Sequence, residues 1–233
     1  GGIPVVAFET VNSTNETALE RARDGDMGPL WVVARRQSAG RGRRGRTWVS
    51  EPGNLYASLL LTDPAPGSAI SGICFVGALA LHDALLNTAH GLAPAQLKLK
   101  WPNDLLLDGR KLAGVLVEGM TAVGGPTTTV VGFGVNCTHH PANVEYPATD
   151  LAAAGYTVPV ETLFEALGIA MGERLKEWDR GENFVSLRAA WLARAAGIGE
   201  AIEARLANRT VAGIFETIDA AGALVLRHRD GTR

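Results

Sequence analysis

Residues 97–119 read LKLKWPNDLLLDGRKLAGVLVEG, and their periodicity is that of a sheet. Leu97 to Trp101 alternates as a half-buried strand does. Pro102 breaks the ladder and Asn103-Asp104 supplies a turn. Leu105 to Leu107 resumes the strand, Asp108-Gly109 is a hairpin signal, and Lys111 to Glu118 returns. Working outward, Thr127 to Asn136 (TTTVVGFGVN) is a further strand entered after Gly124-Gly125. Gly132 and Gly134 fall on one face of it. Two glycines at that spacing weaken a strand, so either another group approaches closely there or the strand packs tightly against a helix.

On the other side, Ala69 to Ala89 is apolar nearly all round, the composition of a buried helix. His82 and His90 belong to it or its end and read as surface or hydrogen-bonded residues. Its apolar core, Ile73 to Leu81, is too short to span a bilayer. Further back lie strands at Asn54 to Leu61, Leu30 to Ala34 and Ile3 to Phe8. NSTNETALERARDG (12–25) is a helix with Ala18, Leu19 and Ala22 on one face and Gly25 as its stop. Ser13 and Glu16 match a capping box, and a helix start also offers free N–H groups to a polar ligand.

Downstream, Thr138 to Val160 is irregular and reads as a surface loop. Cys137, His139 and His140 lack a fourth ligand for zinc. Glu161 to Trp178 and Asn183 to Ala195 are amphipathic helices with core-facing stripes. After Gly197 the pattern changes to short strands at Ala201 to Leu206, Arg209 to Ile218 and Ala223 to Arg227, with turns at Asp219 to Gly222 and Asp230-Gly231. The expected division is residues 1–196 and a small β-barrel over 197–233, the latter short of a closing strand.

The 233 residues suffice for a sizeable core, and 46% hydrophobic with 20% charged residues is ordinary for a globular protein. Two cysteines argue against a disulfide scaffold and fit a reducing, cytoplasmic setting. Net charge is only −2, yet six of the twelve residues from Arg35 to Arg46 are arginine. Overlapping that stretch, QSAGRGRRGRTW (37–48) contains Gly40, Gly42 and Gly45 in the spacing of a dinucleotide fingerprint. Its context is wrong, because a strand and no helix follows. An arginine-rich, glycine-rich loop is suited to closing over an anion. Lys98, Lys100 and Lys111 sit on half-buried strands beside Asp104, which can neutralise Lys100 and Lys111. Alternatively these cations hold a substrate whose negative groups repel, as when a carboxylate is joined to a nucleoside triphosphate. A nucleic-acid-binding loop is disfavoured by the overall negative charge and by the single nearby aromatic, Trp48.

STN at 13–15, GRGRRGRTW at 40–48, KWPND at 100–104, RKLAGVLVE at 110–118 and GFGVN at 132–136 occur in that order. Together they resemble the biotin protein ligases, over essentially the whole chain. The resemblance implies an α+β fold: a mixed sheet flanked by helices, like the class II aminoacyl-tRNA synthetase catalytic domain, with a C-terminal SH3-like barrel. It implies that biotin's carboxylate attacks the α-phosphate of ATP, with Mg2+ accompanying the nucleotide. The biotinyl group of the adenylate then passes to one lysine of a biotin carboxyl carrier domain of acetyl-CoA carboxylase.

By the same resemblance Ser13, Thr14, Asn15, Gln37, Gly40, Arg41, Gly42, Arg43, Lys111, Gly114, Gly132 and Gly134 form the biotin side. Arg43, Arg46, Trp48, Lys100, Asn103, Asp104 and Asn136 form the ATP side, Trp48 covering the adenine. Lys111, Arg43 and Asp104 carry the chemistry, Asp104 orienting or deprotonating the incoming lysine. No protein-held metal, membrane or DNA partner is expected. Only twelve residues precede Ser13, where regulatory members carry a winged-helix domain, so a ligase without repressor activity is expected. A homodimer is compatible with this reading. A lipoate ligase or octanoyl transferase is the neighbouring alternative, against which KWPND and the arginine loop argue.

Overall fold

The computed structural model describes residues 2–121, 125–142, 144, 146–205, 209–228 and 232. Gly124, Leu206 and the Asp230-Gly231 turn lie outside the described residues. Strands β1 (Val5–Val11), β2 (Leu30–Gln37), β3 (Leu55–Thr62), β4 (Leu97–Lys100), β5 (Asp104–Leu107), β6 (Arg110–Thr121) and β7 (Thr127–Val135) form one sheet. Their order is β1-β2-β3-β7-β6-β5-β4. The β1–β2 pair is parallel and bridged by helix α1 (Thr14–Arg23), while the other neighbours are antiparallel. Strand β1 runs three residues beyond the expected Phe8, because its pairing with β2 continues to Val11 opposite Gln37.

Period-2 alternation gives the sheet two different faces. Trp31, Leu59, Val115, Val131 and Phe133 point to one side, and helices α2 (Ile73–Thr88), α3 (Val160–Trp178) and α4 (Phe184–Leu192) cover them. Trp31 anchors this layer with ring centroids 5.8 Å from Phe133 and 5.4 Å from Phe164. The run Ile70–Thr88, a short 3-10 turn leading into α2, is longer than the Ile73–Leu81 core and has the length and composition of a membrane span. It is apolar all round because the sheet lies on one side of it and α3 on the other, so it is a core helix here. Gly77 lets it settle: a Cβ there would stand 3.1 Å from Val131 and 3.2 Å from Val115.

The opposite face is apolar only at one end, where Leu30, Val32, Leu60 and Val130 pack under Ala18 and Leu19 of α1. Beyond them the same face carries Ser58, Gly132, Gly134, Gly114 and Asp104, each opposite another of the set or its neighbour. Small residues there leave a basin.

Strands β8 (Ala201–Arg205), β9 (Thr210–Ile218) and β10 (Leu224–Arg227) form a second, antiparallel sheet in the order β10-β9-β8. Among the described residues it is a three-stranded antiparallel sheet, consistent with the expected SH3-like unit. Arg188 of α4 docks it, Nε donating to Ile218 O at 2.6 Å and Nη2 to Thr217 Oγ1 at 3.0 Å. Trp101 Nε1 donates to Gly222 O at 3.1 Å in the β9–β10 turn.

Candidate active site

The basin is walled by the 38–54 loop, by Trp101 to Asn103 and by the edge of the second sheet, enclosing a cavity of about 550 Å³. Ser13, Thr14, Asn15, Gln37, Arg41, Gly42, Arg43, Arg46, Trp48, Lys100, Asn103, Asp104, Lys111, Gly114, Gly132 and Gly134 all line it. Gly40 and Asn136 are not among the residues that line it. A Cβ on Gly40 would stand 3.0 Å from Gln37 Nε2, so its smallness serves the folding of the loop on its own base. Asn136 is buried and donates from Nδ2 to Thr149 O at 3.0 Å, so its amide holds the 147–151 segment.

The floor is a hydrogen-bonded cluster at the start of α1. Ser13 occupies the N-cap but makes no side-chain cap bond, so the expected capping box does not form. Gln37 caps instead: its Oε1 accepts from Thr14 N at 2.8 Å, and its Nε2 donates to Ser50 Oγ at 2.8 Å. Ser50 donates onward to Trp48 O at 2.8 Å, which ties the helix start to the base of the loop. Ser58 Oγ lies 2.7 Å from Thr14 Oγ1 and 2.6 Å from Asn15 Oδ1. Asn15 Nδ2 donates to Leu116 O at 3.2 Å and Glu118 Oε2 at 2.8 Å.

The two strand glycines therefore do not serve packing against the buried helix. Gly132 faces Asn15, whose Cγ would be 2.8 Å from an added Cβ. Gly134 faces the Trp48 indole, with ring atoms 2.6 to 2.9 Å from such a Cβ. The strand is bare so that a polar floor and an aromatic wall can lie directly on it.

The arginine loop is a small hairpin, with Arg41 bridging Thr47 and a 3-10 turn at Arg43–Gly45. Arg44 is at φ 59° and Gly45 at φ 71°, both in the left-handed region. Three of the six arginines meet carboxylates: Arg35 with Glu9 at 3.8 Å, Arg36 with Glu51 at 3.5 Å, and Arg41 with Glu118 at 3.2 Å. Arg43, Arg44 and Arg46 have no carboxylate within 4 Å among the described residues, and all three line the cavity. Arg43 Nη1 instead donates to Asn103 Oδ1 at 3.3 Å, closing the loop onto the KWPND stretch. Asn103 is itself fixed by Nδ2 donating to Val115 O at 2.6 Å.

Lys111 Nζ lies 2.8 Å from Asp104 Oδ1, with the Trp48 ring centroid 5.3 Å and the Tyr146 centroid 5.2 Å away. Lys100 stands opposite Asp104 in the ladder but makes no ion pair with it, so Asp104 neutralises one lysine rather than two. The position of Lys111 depends on a β-bulge. Asp104 and Leu105 face Gly114 and Ala113, but Leu106 faces Lys111, so Leu112 is the extra residue. Leu112 goes fully into the core and Lys111 is turned back to the cavity side.

Cys74 packs beneath this wall, Sγ donating to Pro102 O at 3.6 Å, and burial pushes its thiol up to about 11. Burial likewise raises Cys137 to about 11, so neither is a thiolate nucleophile near neutral pH. His140 is paired with Asp150 at 2.6 Å, and His82 Nε2 lies 3.3 Å from Leu97 O. Sequence reasoning missed Ser50, Ser58, Glu118 and Tyr146. Only the alternation of β6, which places Glu118 on the same face as Gly114, could have flagged one of them.

A cationic flap, a polar floor and an aromatic wall on one face of a mixed sheet define an adenylating type of site, and comparison with known families agrees. Residues 7–136 match the biotin/lipoate A/B protein ligase family and residues 197–233 match the biotin protein ligase C-terminal domain; the chain belongs to this family. Within it, the chain is 44% identical to the biotin–[acetyl-CoA-carboxylase] ligase of Paracoccus denitrificans, covering 93% of this chain and 91% of that one. It is 34% identical to the enzyme of the same name from Mycobacterium tuberculosis, covering 92% and 79%. The fold matches the biotin protein ligase of Aquifex aeolicus, solved with biotin and ATP, at a TM-score of 0.83 and 24% identity, covering 99% and 94%.

Proposed function

We propose that this chain is an ATP-dependent ligase that activates biotin as biotinyl-5′-AMP and passes the biotinyl group to a lysine of a carrier protein. The observation that carries it is electrostatic. Arg43, Arg44, Arg46 and Lys100 converge on one cavity with no carboxylate partner among the described residues. All four are solvent-exposed and hydrated, but their mutual repulsion is relieved when an anion is held among them, and a carboxylate beside a triphosphate supplies the matching charge.

In the first step a biotin carboxylate oxygen attacks the α-phosphorus, the bond to the bridging oxygen breaks, and pyrophosphate leaves. Little covalent work falls to the protein, whose part is to hold two repelling anions in line and stabilise the charge that builds up. Arg43 and Lys111 are the groups placed to do so. The head group of biotin is read as lying on the Ser13–Asn15 floor, and the nucleotide between Trp48, Lys100 and Asn103. Magnesium arrives on the triphosphate as part of that substrate. In the second step a lysine amine attacks the acyl carbon, AMP leaves and the amine loses a proton. Asp104, on the cavity wall, is read as the group that orients or receives that proton.

The acceptor is read as the biotin carboxyl carrier domain of acetyl-CoA carboxylase, the setting as the cytoplasm, and the chain as two units, 1–196 and 197–233. Incubation with biotin, MgATP and that carrier domain should add one biotinyl mass to the carrier. Pyrophosphate exchange should be stimulated by biotin and not by lipoate; stimulation by lipoate alone would overturn the assignment.

A further inference from the structure

The most solvent-accessible part of the site, the arginine loop, is joined to its most enclosed part through one carboxylate oxygen. Glu118 Oε2 accepts from Asn15 Nδ2 at 2.8 Å and lies 3.2 Å from Arg41 Nη2. Glu118 is on the cavity side of β6, two residues beyond Leu116, whose carbonyl accepts the same Asn15 amide. The other two paired arginines of the loop, Arg35 and Arg36, belong to β2 and hold its strand end. Arg41 is the one paired arginine on the hairpin itself, so its partner is the only carboxylate fastening the flap to the sheet among the described residues.

We propose that Glu118 is a positioning residue that latches the arginine loop. Through Arg41 it holds the loop over the adenylate, and through Asn15 it makes that hold depend on an ordered floor. The inference rests on the reading of the arginine loop as a lid over the biotinyl adenylate. Its geometry accounts for two features at once. Gly132 must be bare for Asn15 to reach Glu118, and the arginine nearest the floor is spent on a carboxylate while Arg43, Arg44 and Arg46 are left for the ligand.

The test is the rate at which preformed, radiolabelled biotinyl adenylate leaves the chain, measured beside the rate of its synthesis. Glu118→Gln keeps the shape and the acceptor for Asn15 but removes the charge that holds Arg41. Release should rise about fivefold, with thermal stability little altered, since the Arg41 and Glu118 side chains are 38% and 28% exposed. In an Arg41→Met background, release should already be fast and Glu118→Gln should add nothing, because both act through one contact. Release from Glu118→Gln at the wild-type rate would overturn the latch. So would an equal further increase in the Arg41→Met background, which would mark Glu118 as supporting the floor alone. If Arg41→Met itself retained adenylate as wild type does, the lid reading of the loop would fall, and the latch with it.

Discussion

At the scale of single residues, the proposed reaction divides its two steps among three side chains. On the proposed reading Lys111 and Arg43 meet the charge that develops in adenylation, so Lys111→Ala and Arg43→Ala should each slow adenylate formation by about a hundredfold or more. Pyrophosphate exchange measures this directly. Asp104 is on the same wall but is assigned to the amine. Asp104→Asn should slow transfer from isolated adenylate by about a hundredfold and adenylate synthesis much less, measured in single turnovers. Equal losses in both would remove its role in transfer. The arginines and lysines of this site were legible because such residues among glycines or on strands invite a partner anion, whereas Gln37, Trp48 and Asn103 came from the family resemblance alone. Ser58 and Tyr146 were not legible, since a lone hydroxyl or phenol on a strand or loop has no local signature, and only strand alternation pointed to Glu118. For Asn136 the sequence is ambiguous, because an amide beside a glycine-rich strand looks the same whether it meets a ligand or, as its Nδ2 does here, a backbone carbonyl.

At the scale of elements, the cavity exists because β7 is without side chains at two alternate positions. Gly134→Ala would place a methyl carbon 2.6 to 2.9 Å from the Trp48 ring. The indole must move, and it also carries the wall facing Lys111. The expected cost is about 1–3 kcal/mol of stability, read by denaturant titration, with ATP affinity falling more than biotin affinity. The strands and helices themselves were plain from alternation and apolar stripes. What alternation concealed was the bulge at Leu112. RKLAGV reads as one continuous strand, and only the ladder with β5 reveals that the phase changes after Lys111. Without the change, a strand that buries Leu112 would have exposed the wrong neighbour to the cavity.

At the scale of the whole molecule, the helical layer is fastened by a charge cluster away from the site. Arg174 of α3 donates from Nη2 to Asp83 Oδ2 of α2 at 2.6 Å and from Nη1 to Glu177 Oε2 at 2.5 Å, and Arg194 lies 3.8 Å from Asp83. Burial works to raise the Asp83 carboxyl, but the His82 hydrogen bond and Arg174 outweigh it and hold it below its ordinary value. A carboxyl depressed in the folded state adds stability above its unfolded pKa and loses it as pH falls through the folded one. Melting temperature should therefore drop steeply below about pH 4 in the wild-type chain. Asp83→Asn should be less stable near neutrality and show a shallower acid limb; parallel acid limbs would exclude Asp83 as the cause. Adenylate formation near neutral pH should persist in this variant.

Strand order also has a consequence for synthesis. Strand β3 lies between β2 and β7, and β7 closes the ladder only when residues up to Val135 are available. A chain leaving the ribosome thus holds β3 with one edge vacant for more than sixty residues of translation, an edge made of Leu55 to Thr62. Nascent chains of this protein should depend on holding chaperones until β7 emerges, and slowing elongation between β3 and β7 should lower the yield of soluble enzyme.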